Sequence, residues 1–519
     1  MPSSRPARRP ETRALGVFIA GTAVLALTWL FGFSLRAPIW SEDIENVRRS
    51  GLFRIYGGGS EDMVNTALLI MLLCGGYLAA LWGLRKGFPR SFPVAIAGSV
   101  VVIFCVLPVA PLTSPDAAHL AADIRTFYRG TDPTSREGAP NKQDDPVARE
   151  VRVFDDSPSG YGPVAYAVGG ISLPFVGDSL RGNVYGVKVV AALFLVATGI
   201  ATAFVARKLG YEPGMAMAYV TLNPLVLWEF VADGHNDPIM TGFGMAAILL
   251  AVQDRVRWRL AAAPLAALSV LAKYAMIVVA PVFAAWWIER LRQNPPGWMP
   301  KPITALLPYA RPLMAAAAVC AGVLVALVLG MDLLRNGAAG PATGLTRNTP
   351  WTFLRDWFDT KERENWVFGV CYAGVATTAG LIILRHRLEN ARDAMAAAAL
   401  LMAIFLFALS PNLRHWYQLW VLPLIALGGR RWLMAGGIAF SLGAFMTILS
   451  LNWQGAIQTD MGIKNPVDNS VMALWVLTIS VALFTWYRDR EAERRSAEAE
   501  ARRAQRRVPG RAARAGARR

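Results

Sequence analysis

The stretch "DMVNTALLIMLLCGGYLAALWGL", residues 62–84, opens on one acid and then runs to its end without a charge. A bilayer core of roughly 30 Å takes about 20 predominantly apolar residues to cross as a helix, so this run is long enough to span. Its apolar residues are continuous and rich in Leu and Ala, whereas a barrel strand would alternate them with polar ones. The run therefore reads as a transmembrane helix.

Working outward, comparable windows lie at 14–35, 92–112, 184–206, 213–231, 237–253, 257–271, 273–289, 311–334, 366–386, 393–409, 415–428, 432–450 and 471–487, which makes fourteen in all. With 54% hydrophobic and 17% charged residues among 519, the chain is too apolar for an ordinary soluble enzyme. The expected fold class is all-α: a polytopic transmembrane helical bundle with a large extracytoplasmic loop of short helices. The expected organisation is a transmembrane domain, 1–487, that includes an extracytoplasmic loop 113–183, followed by a basic cytoplasmic tail, 488–519.

Sorting the short loops by Lys and Arg puts "RPARRPETR", "RKGFPR", "RKLGYEP", "QDRVRWR", "ERLRQNPPGWMPKP", "RHRLENARD", "GGRR" and the C-terminal tail on one side, the cytoplasmic side by the positive-inside rule. The alternation requires that "PVAYAVGGISLPFVG", 163–177, does not cross. This segment is short and carries two prolines and a Gly pair, so it reads as re-entrant or interfacial.

A net charge of +17 invites a nucleic-acid reading, but from Arg488 onward the tail holds twelve arginines against five acids and no aromatic residue for stacking. It directly follows an apolar run, so its partners are expected to be anionic membrane lipids, with its middle helical on the membrane surface, and no nucleic acid is expected. The four cysteines fall inside apolar windows at no metal-ligand spacing, which predicts neither a disulfide framework nor a zinc site. The run 14–35 is longer than a signal-peptide core and is closed by no A-x-A site, so an uncleaved first helix is expected.

The unusual residues gather on the other side. In "LTSPDAAHLAADIRTFYRGTDP", Ser114 and Pro115 favour a helix start with Asp116 in its first turn; Asp116 is either an acid favoured by the helix dipole or a reactive carboxylate. In "DDSPSGYGPVAY", Asp155 and Asp156 precede a corner in which Tyr161, Gly162 and Pro163 either place an aromatic ring against a sugar or form an ordinary bend. In "FVADGHNDPIM", Gly234 breaks a helix, and Asn236 and Asp237 can cap the next one ahead of Pro238; capping leaves Asp233 and His235 without a reason. Lys273 of "LAKYAM" interrupts an apolar run of about thirty residues, at an insertion cost of roughly 2.5–3.5 kcal/mol at a helix centre, so either it snorkels or the helix breaks there with the ammonium facing an anion. In "SPNLRHWYQLW", Arg414, His415, Trp416, Tyr417 and Trp420 combine an interfacial aromatic belt with phosphate-binding groups.

Together, "SPDAAHLAADIRTFYRGTDP", "SGYGP", "NPLVLWEFVADGHNDPIM", "LAKY" and "RHWYQLW" resemble the integral-membrane glycosyltransferases of the GT-C fold. They most resemble the bacterial polyprenyl-phosphate-mannose-dependent α-mannosyltransferases of actinobacterial lipoglycan synthesis. The resemblance spans about residues 100–430, and "GHND" following "NP" is its most specific part. It implies a multi-pass enzyme of the bacterial plasma membrane with an extracytoplasmic active site, taking a sugar from a polyprenyl-phosphate donor and passing it to a glycan or glycolipid acceptor. It further implies Asp116 as general base. Two departures, Ala117 after Asp116 and the insertion 135–157, bear on the acceptor.

The chemistry expected is inverting transfer. A polyprenyl-phosphate sugar has a good leaving group, so one base and cations for the departing phosphate suffice, without the carboxylate pair of a glycosidase. Lys273, Arg414 and His415 are the expected phosphate contacts, His235, Asn236 and Asp237 the hydroxyl contacts, and Tyr161, Trp416 and Tyr417 the aromatic ones. No cofactor is demanded, and a divalent cation at Asp116 or Asp237 stays open. The alternatives are a transporter or lipid-linked sugar flippase, which would place polar groups at the bilayer midplane between related halves, and a polymerase or ligase of lipid-linked oligosaccharides.

Overall fold

The computed structural model describes residues 9–35, 39, 60–85, 87–134, 144–151, 159–295, 297, 299–330, 361–386, 388–410 and 413–507. Asp155, Asp156, the loop 331–360 and the tail from residue 508 lie outside the described residues. Every described element is helical.

Eight described helices are long and apolar enough to cross a membrane: Glu11–Ser34, Glu61–Leu84, Leu180–Lys208, Tyr274–Gln293, Lys301–Leu324, Ala391–Leu409, Arg431–Asn452 and Pro466–Glu500. A ninth forms if Pro213–Thr221 and Pro224–Ala232, which meet at 47°, count as one broken span. The fourteen apolar windows therefore do not become fourteen full-length helices. The windows at 92–112, 237–253 and 366–386 hold the shorter apolar helices Ser91–Val106, Asp237–Ala251 and Gly369–Arg385. The window at 415–428 divides into a 3-10 turn, His415–Trp420, and Leu422–Gly428. Composition reports how apolar a stretch is, but not where a polar residue stops its helix.

The segment 163–177 forms short consecutive helical pieces between Pro163 and Val176. The last span runs without a break into the basic tail as one helix, Pro466–Arg507, across the boundary expected near residue 487. Glu491 pairs with Arg494 at 3.1 Å and with Arg495 at 3.0 Å, the i,i+3 and i,i+4 spacings that support an exposed helix.

The first two spans pack through small residues. A Cβ on Gly21 would stand 2.5 Å from the backbone nitrogen of Ala80, and one on Gly83 2.6 Å from that of Phe18. Close backbone approach of this kind substitutes for the hydrophobic drive that lipid does not supply. Trp29, Phe33, Trp228 and Phe445 build an aromatic core, with ring centroids 5.0–5.8 Å apart.

The loops sorted together by charge meet one another at one end, here called the basic end. Lys208 pairs with Asp254 at 2.6 Å, Arg290 donates to the Ala251 carbonyl at 3.3 Å, and Arg392 donates to the Leu209 carbonyl at 2.7 Å. Helices Leu180–Lys208 and Asp237–Ala251 run from that end to the opposite, polar end, which carries the candidate site.

Candidate active site

Three helix interruptions position the polar residues. Asn223 caps Pro224–Val226 by accepting from the Leu225 N–H at 3.0 Å, and Pro224 occupies the first turn. The helix then widens into a π-turn, Leu227–Ala232, a form frequent at functional sites. The π-turn delivers Asp233, Gly234 and His235 at the break. Gly234 has φ +75°, and a Cβ there would lie 2.9 Å from Cβ of Ala117 and 3.0 Å from Cγ of Lys188, so this position has both a backbone and a packing reason to be glycine.

Asp233 latches the loop that carries Asp116. Its carboxylate accepts from the backbone N–H groups of Leu112 and Thr113 and from the Thr113 hydroxyl, while Trp228 Nε1 donates to Thr113 Oγ1 at 3.0 Å. The helix Asp116–Tyr128 starts three residues later.

Asp116 Oδ2 lies 3.2 Å from His235 Nδ1, and His235 Nε2 lies 3.3 Å from Glu229 Oε2, both at ion-pair distance without the alignment of hydrogen bonds. The His235 side chain is 0% exposed and that of Asp116 23% exposed, so the aspartate alone opens outward. Trp416 stacks on His235 with centroids 4.1 Å apart, and the exposed Arg414 guanidinium stands 5.8 Å from the Trp416 ring.

Burial by itself would raise the Asp116 pKa, but the adjacent His235, with His119 adding to it, holds the carboxyl well below the usual range. Burial would lower the His235 pKa, yet Asp116 and then Glu229 push it well above the ordinary imidazole value. The depressed carboxyl contributes stability above its unfolded pKa and loses it as pH falls through the lowered value. The raised imidazole contributes below its unfolded pKa and loses it as pH rises through the raised value. The ion pair is therefore present throughout the neutral range.

Lys273 stands in extended backbone, φ −161° and ψ 132°, between helix Val256–Ala272 and the 3-10 turn Tyr274–Val279. The apolar run does break there, and the ammonium does face an anion: Nζ is 2.8 Å from Asp237 Oδ1, which also accepts from Trp420 Nε1 at 2.6 Å. Tyr161, Tyr417 and Trp420 surround the ammonium, with ring centroids 5.1–5.3 Å away. Burial disfavours this charge, but Asp237 outweighs it and Asp116 adds to the same effect, which raises the Lys273 pKa and places both carboxylates around one site.

The Tyr-Gly-Pro corner is built against the same break. Gly162 N–H donates to the Ala272 carbonyl at 3.1 Å, and Tyr166 OH donates to the Tyr161 carbonyl at 2.9 Å. A Cβ on Gly162 would stand 1.9 Å from the Leu271 carbonyl oxygen. Gly162→Ala is accordingly expected to push the corner off Lys273, with a stability loss of about 1–3 kcal/mol and reduced activity. Melting temperature and transfer assays on the purified variant check both.

The structure thus brings Asp116, Tyr161, His235, Asp237, Lys273, Arg414 and Tyr417 together. Asn236 is buried between His235 and Asp237 with its side-chain oxygen unpartnered. His415 is buried with Nε2 unpartnered, and burial followed by the adjacent Arg414 disfavours its protonation. Asp237 is fully buried, with Oδ1 accepting from Lys273 and Trp420 and Oδ2 without a hydrogen-bond partner. Glu229 and the latch by Asp233 were missed. Glu229 precedes His235 by six residues, a spacing that meets on one face only when a π-turn intervenes. Among the described residues, no group of three or more His, Cys, Asp or Glu side chains is arranged to hold a metal ion.

The family profile described as "Alpha-(1->6)-mannopyranosyltransferase, N-terminal domain" matches residues 19–289, just over half of the 519. The chain belongs to this family. Its match contains Asp116, Tyr161, Glu229, His235, Asp237 and Lys273, whereas Arg414–Trp420 lie beyond it. Among curated relatives, Alpha-(1->6)-mannopyranosyltransferase B of Corynebacterium glutamicum is 27% identical over 214 residues, 38% of this chain and 35% of that protein. Alpha-(1->6)-mannopyranosyltransferase A of the same bacterium is 26% identical over 147 residues, covering 28% of this chain and 30% of that one. The enzyme of that name from Mycobacterium tuberculosis is 25% identical over 386 residues, 70% of this chain and 71% of it. The match therefore spans about a third of the two corynebacterial relatives. No solved structure matches the chain.

Proposed function

We propose that this chain transfers a mannosyl group, with inversion, from a polyprenyl-phosphate mannose to a glycan or glycolipid acceptor at its polar end, on the outer face of the bacterial plasma membrane. The observation that carries the reading is the one carboxylate left open at the site: Asp116 is 23% exposed, oriented through His235, and shares its surroundings with the cations Lys273 and Arg414. The sugar follows the names of the relatives, and the outer face follows the positive-inside rule applied to the basic end.

In the proposed reaction, Asp116 takes the proton of an acceptor hydroxyl as its oxygen bonds to the anomeric carbon. The bond from that carbon to the phosphate oxygen breaks, and its electron pair leaves with polyprenyl phosphate. A carboxylate of lowered pKa is a weak base toward a ground-state hydroxyl, but the hydroxyl becomes strongly acidic as it bonds to an oxocarbenium-like carbon, so a late proton transfer suffices. Arg414, exposed and without an ion-pair partner among the described residues, is the primary phosphate contact, and Lys273 is the second. Glu229 keeps His235 protonated and turned toward Asp116.

No cofactor enters this scheme; a divalent cation at Asp116 or Asp237 would meet the neighbouring positive charge of His235 or Lys273. Separated membranes supplied with radiolabelled polyprenyl-phosphate mannose, arabinose or glucose, or with a nucleotide mannose, test the donor. Label should pass to acceptor from polyprenyl-phosphate mannose. Transfer from the nucleotide sugar alone would overturn the reading.

A further inference from the structure

At the basic end, far from the candidate active site, a groove of ≈ 740 Å³ opens between helices Leu180–Lys208, Asp237–Ala251 and Val256–Ala272. That volume is within the range of small-ligand sites, roughly 300–1,000 Å³. Phe204, Leu249, Leu250 and Trp258 line it, and Arg207 and Lys208 stand at its edge. Phe204 and Trp258 are each 44% exposed, continuous with the apolar surface that meets lipid.

The charge around this groove is unbalanced. Lys208 pairs with Asp254 at 2.6 Å, Arg259 donates to the Asp254 backbone carbonyl at 3.2 Å, and Arg290 lies close enough to act on the same carboxylate. Arg257 lies 5.4 Å from the Trp258 ring. Arg207 is exposed and has no ion-pair partner among the described residues, while Nε of Arg259 is buried without an acceptor. Three cations thus act on one carboxylate, while Arg207 at the edge of the groove and Arg257 beside Trp258 add two more positive charges. Clustered like charges repel unless an anion joins them, and a basic pocket between membrane helices is the setting in which anionic lipid headgroups bind.

We propose that this groove is a binding site for an anionic membrane phospholipid, its phosphate held by Arg207 and the neighbouring cations and an acyl chain lying along Phe204, Leu249 and Leu250. The shared chemistry is an anionic phosphate ester. The apolar floor and the tryptophan at its rim favour a lipid over a soluble phosphate ester. The proposal is independent of the reaction at the polar end, because binding is read without any sugar transfer.

The test uses the full-length protein in neutral detergent, titrated separately with phosphatidylglycerol, phosphatidylcholine of identical chains, and glycerol 3-phosphate. Lipid retention by native mass spectrometry and the shift in melting temperature are the readouts. Phosphatidylglycerol should bind at least several-fold more tightly than the other two, and Arg207→Gln should weaken it about fivefold, as one basic contact near a membrane surface warrants. Arg430→Gln, an exposed basic residue outside the groove, should leave the affinity unchanged and so controls for general surface charge. Equal binding of phosphatidylcholine, or no effect of Arg207→Gln in a folded protein, would overturn the site. Equal binding of glycerol 3-phosphate would assign the groove to a soluble phosphate and overturn the lipid.

Discussion

Membranes carrying Asp116→Asn are expected to lose about 10²–10⁴-fold in transfer from polyprenyl-phosphate mannose, the usual contribution of a general base, with the protein still folded. Asparagine keeps the shape of the side chain at the helix start, and His235 retains Glu229 as its second carboxylate at 3.3 Å. A companion variant, His235→Gln, separates the base from its orienting group. The imidazole is what holds Asp116 ionised below the ordinary carboxyl range, against the opposing effect of burial. Without it the carboxyl protonates at higher pH, so the acidic limb of the kcat/KM profile should move upward while activity at alkaline pH survives in part. An unmoved limb would separate His235 from Asp116.

Asp237→Leu is expected to destabilise the protein by about 3–5 kcal/mol, the usual cost of leaving one member of a buried ion pair unmatched. Lys273 would keep an ammonium among Tyr161, Tyr417 and Trp420 with no anion beside it, and Trp420 Nε1 would lose its acceptor. The double variant Asp237→Leu, Lys273→Met removes both charges, so it should recover most of the stability yet transfer sugar poorly for want of the cation. Melting curves and transfer rates across this cycle distinguish the assignment from its rival. An Asp237 that contacted substrate hydroxyls directly would lose activity on substitution with little change in stability.

Parts of this arrangement were legible in the residues. Gly234 reads as a helix break, Pro238 as a first-turn proline, and Lys273 in an apolar run as a point where the chain must interrupt itself or find an anion. The packing at Gly234 and the 2.8 Å contact from Lys273 to Asp237 bear out those expectations. The pairing of Lys273 with Asp237 was not legible, because the two are 36 residues apart and only the adjacent ends of two helices join them. Glu229 drew no attention in the sequence, since helical periodicity turns it away from His235 and the π-turn with the break at Gly234 brings them together. Fourteen apolar windows are matched by eight or nine long apolar helices among the described residues for a related reason. Windows such as 415–428 are apolar throughout, but the ring stacking of Tyr417 on Trp420 at 4.0 Å belongs to a tight 3-10 turn and not to a continuous helix.

The central claim is that the acceptor hydroxyl, the anomeric carbon and the phosphate all meet beside Asp116 at the polar end. The most direct measurement is a structure of the Asp116→Asn protein with polyprenyl-phosphate mannose bound. The account predicts the anomeric carbon within about 6 Å of the residue 116 side chain, which leaves room for one acceptor oxygen in contact with both, and the phosphate against Arg414 or Lys273. A donor whose phosphate lies at the basic end, or whose anomeric carbon is beyond reach of residue 116 through a single hydroxyl, would contradict it.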